Sequence, residues 1–392
     1  MNIVSLLLTN NCNCDCSYCI QNHFLTKQKE IFKDAILQKI PEKITNINSL
    51  MFIGGEPFLY EKKIFEVDKV FDNLLSQNKI KNKPMYIFYT NLTILTVEMK
   101  KFLEKLVAEN TSFGFYLSID GSQKTHDFNR RLKNGLGSYK TIKNNYNYLI
   151  EKNYSIINIT SVYNNIHIKN KENIHQIIKY IFKNFKNINQ IEITPELITR
   201  DYSIPEKFFY EEFLGITKLS FQKILQHNIS PELIPFLKKI LNPLIRGGLM
   251  QSKPNYKIKK ISINWNGDIF LSNEESYRKK SNYNILNKNF NEDLIPTLGE
   301  PLTKACNECD MIKYCNICNL NIDYNFYFFC NFNKKIIELL QLYLQRIFDD
   351  KDTEDYFIKI FAYSKLEHLL FKHFILTRGK HEIFNTDVNR EM

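Results

Sequence analysis

Nine cysteines divide between two short stretches of this 392-residue chain, at 12, 14, 16 and 19 and again at 306, 309, 315, 318 and 330. None lies from 20 to 305. That distribution constrains the fold more than any other feature. A secreted disulfide framework scatters its cysteines through a small domain. Two tight groups in a large chain call instead for metal, held by thiolates that sequence neighbours deliver to one place.

The first group reads Cys12-Asn-Cys14-Asp-Cys16-Ser-Tyr18-Cys19, which contains Cys-x3-Cys-x2-Cys with one extra cysteine inside it. Three thiolates can bind three irons of a cubane and leave the fourth iron without a protein ligand. That open iron can chelate the amino and carboxylate groups of a methionine moiety. An electron from the reduced cluster then cleaves the sulfonium and yields a deoxyadenosyl radical, chemistry that belongs to the cofactor while the protein positions it. On spacing alone two other readings stay open: a zinc site, which usually draws four ligands in two pairs, and coincidence within a Cys-rich loop.

Ile3–Leu8 is a short apolar run suited to a buried strand, and it leads straight into these cysteines. Similar runs recur at Leu50–Ile53, Met85–Tyr89, Phe115–Ile119, Ile156–Val162 and Ile191–Thr194. Between them Lys62–Leu75, Val97–Val107, Tyr139–Glu151 and Asn173–Phe185 carry helical periodicity, and Thr96 reads as an N-cap before an acidic first turn. Strand and helix alternate about six times, which predicts βα units and a parallel sheet. Active residues in such folds gather at the strand C-terminal ends. Polar clusters stand at those positions: Gly54-Gly55-Glu56-Pro57, Thr90-Asn91, and Ser118-Ile119-Asp120-Gly121. Each alone is an ordinary turn; together, after successive strands, they mark a site mouth.

Beyond about residue 200 the rhythm breaks. Pro205–Gln226 and Pro231–Leu241 read as helices, and Arg246-Gly247-Gly248 as a turn. Ile261–Asn264 and Asp268–Leu271, joined through Asn266-Gly267, predict a hairpin. Lys334–Phe348 and Thr353–Phe374 read as two amphipathic helices, the first with the stripe Ile336, Ile337, Leu340, Leu344 and Ile347, expected to pack as core. The expected division is a core over 1–200, a helical connection over 201–250, a Cys-rich domain over 251–333 and terminal helices over 334–392.

A formal net charge of +11 raises a nucleic-acid role, but the lysines are spread along the chain among asparagine and isoleucine. No aromatic RNA-binding motif or compact basic block accompanies them, so no dedicated nucleic-acid partner is expected. No apolar run reaches the roughly 18–20 residues of a membrane span, and the N-terminus has no signal-peptide pattern. A cytoplasmic protein with no membrane partner is expected.

With these motifs in hand, residues 3–333 resemble radical S-adenosylmethionine (SAM) enzymes of the SPASM-containing branch. The resemblance rests on the Cys-x3-Cys-x2-Cys loop, Gly54-Gly55-Glu56-Pro57, and Ser118-Ile119-Asp120-Gly121 followed by His126-Asp127-Phe128-Asn129-Arg130 and Gly135-Leu136-Gly137-Ser138. It implies a partial six-stranded (β/α) barrel, TIM-like, with a Cys-rich SPASM-like domain and terminal helices, an α/β protein. It implies that Cys12, Cys16 and Cys19 bind a 4Fe-4S cluster, with Cys14 a spacer. Tyr18 would lie beside the adenine of SAM, and Gly54, Gly55 and Glu56 would hold its amino group. Ser118 and Arg130 would meet its carboxylate, Asp120 would sit near the ribose, and Asn91 would belong to the same cofactor site.

The downstream group reads Cys306-x2-Cys309-x5-Cys315-x2-Cys318, with Cys330 after eleven more residues. It looks like the SPASM pattern with its last short spacing one residue shorter. Complete SPASM domains hold two auxiliary clusters, and the first draws cysteines from the hairpin region. This chain has none there; Ser272-Asn273 follow the second strand. The resemblance therefore implies one auxiliary 4Fe-4S cluster on Cys306, Cys309, Cys315 and Cys330, with Cys318 left over. The competing reading is a structural zinc on Cys306, Cys309, Cys315 and Cys318.

That branch mostly modifies peptides and proteins. The implied function is reductive SAM cleavage and hydrogen abstraction from a peptide, as in maturation of ribosomally made precursors by crosslinking or epimerisation. Sulfatase maturases share the His-Asp-x-x-Arg stretch but place a catalytic Asp where Asn273 stands here; Glu274 and Glu275 close by read first as solvated acids. Formylglycine formation is the alternative enzyme reading, and a non-catalytic iron–sulfur scaffold the alternative from another class. No catalytic side chain is assigned. The implied partners are a peptide or protein substrate, a reductant such as flavodoxin or ferredoxin, and a separate leader-binding protein, since eleven residues before Cys12 leave no room for a fused one.

Overall fold

The computed structural model describes residues 2–19, 21, 30–196, 205–252, 259–270, 281, 283–294, 326–362 and 370–371. The expected alternation is present. Strands β1 (Asn2–Leu7), β3 (Ile47–Ile53), β4 (Met85–Thr90), β5 (Phe113–Ser118), β7 (Ile156–Tyr163) and β8 (Ile188–Pro195) lie side by side in that order, every pair parallel. Strands β2 (Cys14–Cys16) and β6 (Arg130–Leu132) form a separate antiparallel ribbon, with Cys16 opposite Arg130. This is a mixed α/β fold on a parallel sheet.

Alternation along the strands sorts the two faces. Phe52, Phe88 and Phe115 stack on one face, with ring centroids 5.4 Å apart at each step. Helices supply the cover through side chains at helical spacing: Ile64, Val67, Val70 and Phe71 of Glu61–Ser76, and Met99, Phe102, Leu103 and Leu106 of Val97–Ala108. Each of these large apolar side chains contributes about 1.5–3 kcal/mol on leaving water. The other face holds Leu7, Met51, Ile53 and Ile87 packed with Trp265.

The predicted hairpin joins the same sheet. Strand β9 (Lys259–Ile263) runs parallel to β1, and β10 (Asp268–Phe270) returns antiparallel beside it. Gly267 adopts φ +87° in the turn, a conformation that favours glycine. Strand β11 (Tyr283–Asn284) closes the edge, giving this sheet nine strands among the described residues.

Three expectations need correction. Arg246-Gly247-Gly248 is not a turn, because one helix runs from Leu233 to Ser252 through it. Each glycine costs a helix about 1 kcal/mol relative to Ala, less than the burial of Leu237, Ile240, Leu241 and Leu244 on the same helix contributes. The last predicted helix stops earlier than Phe374: Lys351–Phe361 starts at an Asp350 cap that accepts from the Thr353 amide at 2.9 Å, and it ends at Ala362 with φ +51°. The helix before it is longer than Lys334–Phe348, spanning Phe326–Asp349 and so including Cys330 in its backbone.

The chain divides into two compact units. One comprises Met1–Phe209, Lys257–Leu298 and Asn319–Tyr324, and contains the sheet. The other comprises Tyr210–Tyr256, Gly299–Cys318 and Asn325–Met392, and its described part is helical. In that unit the stripe Ile336, Ile337, Leu340, Leu344 and Ile347 is buried, as expected of core, and Phe221 stacks on Tyr343 at 5.2 Å. No helix among the described residues is long and apolar enough to cross a membrane.

Candidate active site

The C-terminal end of β1 opens into the cysteine loop, and the loop after β3 packs on its base. The Gly55 amide donates to the Thr9 carbonyl at 2.8 Å and the Glu56 amide to the Asn11 carbonyl at 2.9 Å. A Cβ on Gly54 would lie 2.4 Å from the Thr9 oxygen, and one on Gly55 would lie 2.1 Å from the Asn11 oxygen. Gly54 also holds φ +143°. What approaches these glycines is therefore the backbone of the cysteine loop itself, and the two glycines are required for that seam.

Glu56 turns inward from this seam and is fully buried. One carboxylate oxygen accepts from the Phe58 amide at 3.1 Å and the Thr90 hydroxyl at 2.7 Å, and the other from the Asn91 amide at 2.8 Å. Burial pushes its carboxyl up to about 7, against which these donors act in part. Donors from the ends of β3 and β4 thus converge on one carboxylate of fixed orientation. The Asn91 side chain goes elsewhere. Its amide donates to Asn13 at 3.0 Å and approaches the Cys14 and Cys12 sulfurs at 3.3 and 3.6 Å, so it braces the cysteine loop.

The four loop cysteines are not equivalent. Cys14 is buried, whereas Cys12, Cys16 and Cys19 are each partly open. A hydrogen bond from the Cys14 thiol holds the Cys12 thiol below its usual range, and the same contact pushes Cys14 up. Among the described residues, the only three His, Cys, Asp or Glu side chains whose ligand atoms fall within 4.8 Å of one another are Asp68, Asp72 and Glu109. The acidic trio is already bridged by Lys83 and Lys105.

Tyr18, Asp120 and Arg130 come together beside this loop, all buried. The Tyr18 hydroxyl and Arg130 Nε, the latter at 3.0 Å, both donate to Asp120 Oδ2, and the Arg130 guanidinium lies 5.3 Å from the Tyr18 ring centre. Asp120 Oδ1 accepts from the Val162 amide at 3.0 Å. The guanidinium holds the Asp120 carboxyl below the usual carboxylate range although burial opposes it. Ser118, partly open, ends β5 opposite Thr160 of β7.

The stretch from 126 to 138 is a staple. Burial lowers His126 to about 4, so its ring is neutral near pH 7. Its Nδ1 accepts from the Asp120 amide at 3.1 Å, and its Nε2 faces the Ser138 hydroxyl at 3.0 Å, which donates to the Arg130 carbonyl at 2.6 Å. Asp127 caps the helix Tyr139–Glu151 by accepting from the Tyr139 amide at 2.8 Å. Gly137 leaves room for it, since a Cβ there would meet the Asp127 carboxylate at 2.4–2.7 Å.

Sequence reasoning missed Asn129 and Asn164, a buried pair 3.0 Å apart that also reaches Ser17 of the cysteine loop. Asparagine is too frequent in this chain for either to stand out. Cys306, Cys309, Cys315 and Cys318, together with Ser272 to Glu275, lie outside the described residues, as does the side chain of Cys330.

Residues 6–181 match the family model of the Radical SAM superfamily. Over 182 residues the chain is 32% identical to an uncharacterized protein of Methanocaldococcus jannaschii, MJ0907, covering 45% of this chain and 57% of that protein. The chain thus spans little more than half the length of that curated relative. Among solved structures, anSMEcpe with bound AdoMet and Cp18Cys peptide superposes with a TM-score of 0.60 at 18% identity, covering 86% of this chain and 96% of that one. A hexahistidine-tagged anSMEcpe with bound AdoMet gives 0.61 at 17% identity, covering 95% and 98%. At these identities the likeness is one of fold.

Proposed function

We propose that this chain, which carries a radical SAM domain over residues 6–181, reductively cleaves SAM and abstracts hydrogen from a peptide. Radical SAM domains use a 4Fe-4S cluster and SAM, and when bound these supply the organic radical. The observation that carries the reading is the loop itself: three partly open thiols in Cys-x3-Cys-x2-Cys spacing, held at the mouth of a parallel sheet over a buried, fixed carboxylate. Cys12, Cys16 and Cys19 are the proposed iron ligands. Glu56, oriented by Thr90 and Asn91, would receive the ammonium of SAM, and Gly54 and Gly55 would line that side. Ser118 and Arg130 would meet the carboxylate, and Tyr18 the adenine. Asn91 would serve the site through the loop it braces.

The peptide reading draws support from anSMEcpe, whose structure holds a Cp18Cys peptide. Cys306, Cys309, Cys315 and Cys330 are proposed to bind one auxiliary 4Fe-4S cluster. The proposed setting is cytoplasmic, with a low-potential protein reductant and a separate leader-binding partner. Anaerobic reconstitution with iron and sulfide, followed by dithionite and SAM, should release deoxyadenosine. Cys16→Ala should abolish that release while Cys14→Ala retains it. Persistent release from Cys16→Ala would refute the ligand assignment.

A further inference from the structure

We infer that Asp120 is a positioning residue: it locks Tyr18 of the cysteine loop to Arg130 and does not itself touch the ribose of SAM. The inference rests on the radical SAM reading for its functional consequence, but the lock is a property of this chain alone.

Asp120 has no solvent exposure. Its two oxygens face three donors: the Val162 amide at one, and the Tyr18 hydroxyl with Arg130 Nε at the other. With the carboxylate fully enclosed, a ribose hydroxyl could reach it only by displacing the groups that cover it. Each donor comes from a different part of the fold. Tyr18 lies between Cys16 and Cys19, Arg130 opens β6 opposite Cys16, and Val162 lies in β7. One carboxylate therefore sets the distance between the cysteine loop, its partner strand and the sheet.

A closed circuit of hydrogen bonds supports it. From the Asp120 side chain it passes to the Arg130 side chain, then from the Arg130 carbonyl through Ser138 and His126 back to the Asp120 amide. Proton bookkeeping closes on one tautomer. His126 accepts at Nδ1 and donates at Nε2, and Ser138 receives that proton and gives its own to Arg130. Arg130 is held by both its backbone and its side chain, so its guanidinium has little freedom to drift.

Asp120→Asn tests this, because an amide presents one acceptor edge and one donor edge. Whichever way it turns, its N–H meets either the Val162 N–H or the Arg130 Nε–H. Amide hydrogen exchange of the full chain should rise about tenfold over residues 14–19 in Asp120→Asn, where the Ser17 and Cys19 amides are otherwise bonded to Asn129 and Cys16. Tyr18→Phe, which keeps the Asp120–Arg130 pair, should raise exchange over 14–19 alone and leave 160–164 unchanged. On the reconstituted holoenzyme, Asp120→Asn should weaken SAM binding about tenfold. The ratio of affinities for SAM and its 3′-deoxyribose analogue should stay as in wild type, since a positioning residue affects both equally.

Loss of that discrimination in Asp120→Asn would show direct ribose contact and overturn the inference, as would unchanged exchange over 14–19. If exchange responds but the wild-type chain binds no SAM, the lock stands and the radical SAM reading fails.

Discussion

Glu56 carries the sharpest consequence at the scale of single residues. Its folded pKa lies near 7, above its ordinary 4.5, because it is buried with only neutral donors around it. A carboxyl raised in this way costs folding stability as pH climbs from about 4.5 through about 7, where the folded state must give up its proton. A cationic ligand gains over the same interval, since only the ionised form attracts it. SAM affinity should therefore fall as pH drops through about 7, approaching about tenfold per unit below it. Glu56→Gln should bind weakly and without that slope. Calorimetric titration across neutrality checks both, and a flat wild-type profile would remove Glu56 from the ammonium site. The residue types at this mouth were legible in the sequence, but their division of labour was not. Asn91 reads as one more polar group at a strand end, and only its contacts with Asn13 and Cys14 show that it serves the loop.

Two seams between elements have measurable strength. Gly137 lies against the Asp127 carboxylate that caps Tyr139–Glu151, and a side chain there must displace it. Gly137→Ala should cost about 1–3 kcal/mol by urea denaturation, with loss of protection in the first turn of that helix. The Lys83 side chain is buried and bridges Asp68, Asp72 and Glu109, tying Glu61–Ser76 to the residue that follows Val97–Ala108. Lys83→Met strands Asp68, whose other cation is Lys105. We expect a loss of about 3 kcal/mol, tempered by Lys105, and no change in deoxyadenosine release per folded molecule. Helices with clear periodicity and caps were legible, as at Thr96, which accepts from the Met99 amide at 2.9 Å. The run through Gly247-Gly248 was not, because local glycine propensity points one way and the burial that overrides it depends on neighbours far along the chain.

Across the whole molecule, metal content separates the readings of the second cysteine group. A reconstituted chain with one auxiliary cluster should hold about eight irons, and one with a structural zinc about four irons and one zinc. Elemental analysis decides between them, and a Cys330→Ala variant should fall to about four irons only in the first case. The sequence by itself determined the parallel α/β sheet, since apolar strand runs and helical periodicity are local records of which face leaves water. It also determined the motif at Cys12, Cys16 and Cys19, because eight consecutive residues suffice to write it. Only the tertiary structure decided what the motifs do to one another. The two glycines after β3 make room for backbone of the cysteine loop, and His126 to Ser138 brace Arg130 and cap a helix. Asp120 gathers donors from residues 18, 130 and 162. These are pairings over long sequence separations, fixed by packing and by the need of each buried polar atom for a partner, and no local pattern encodes them.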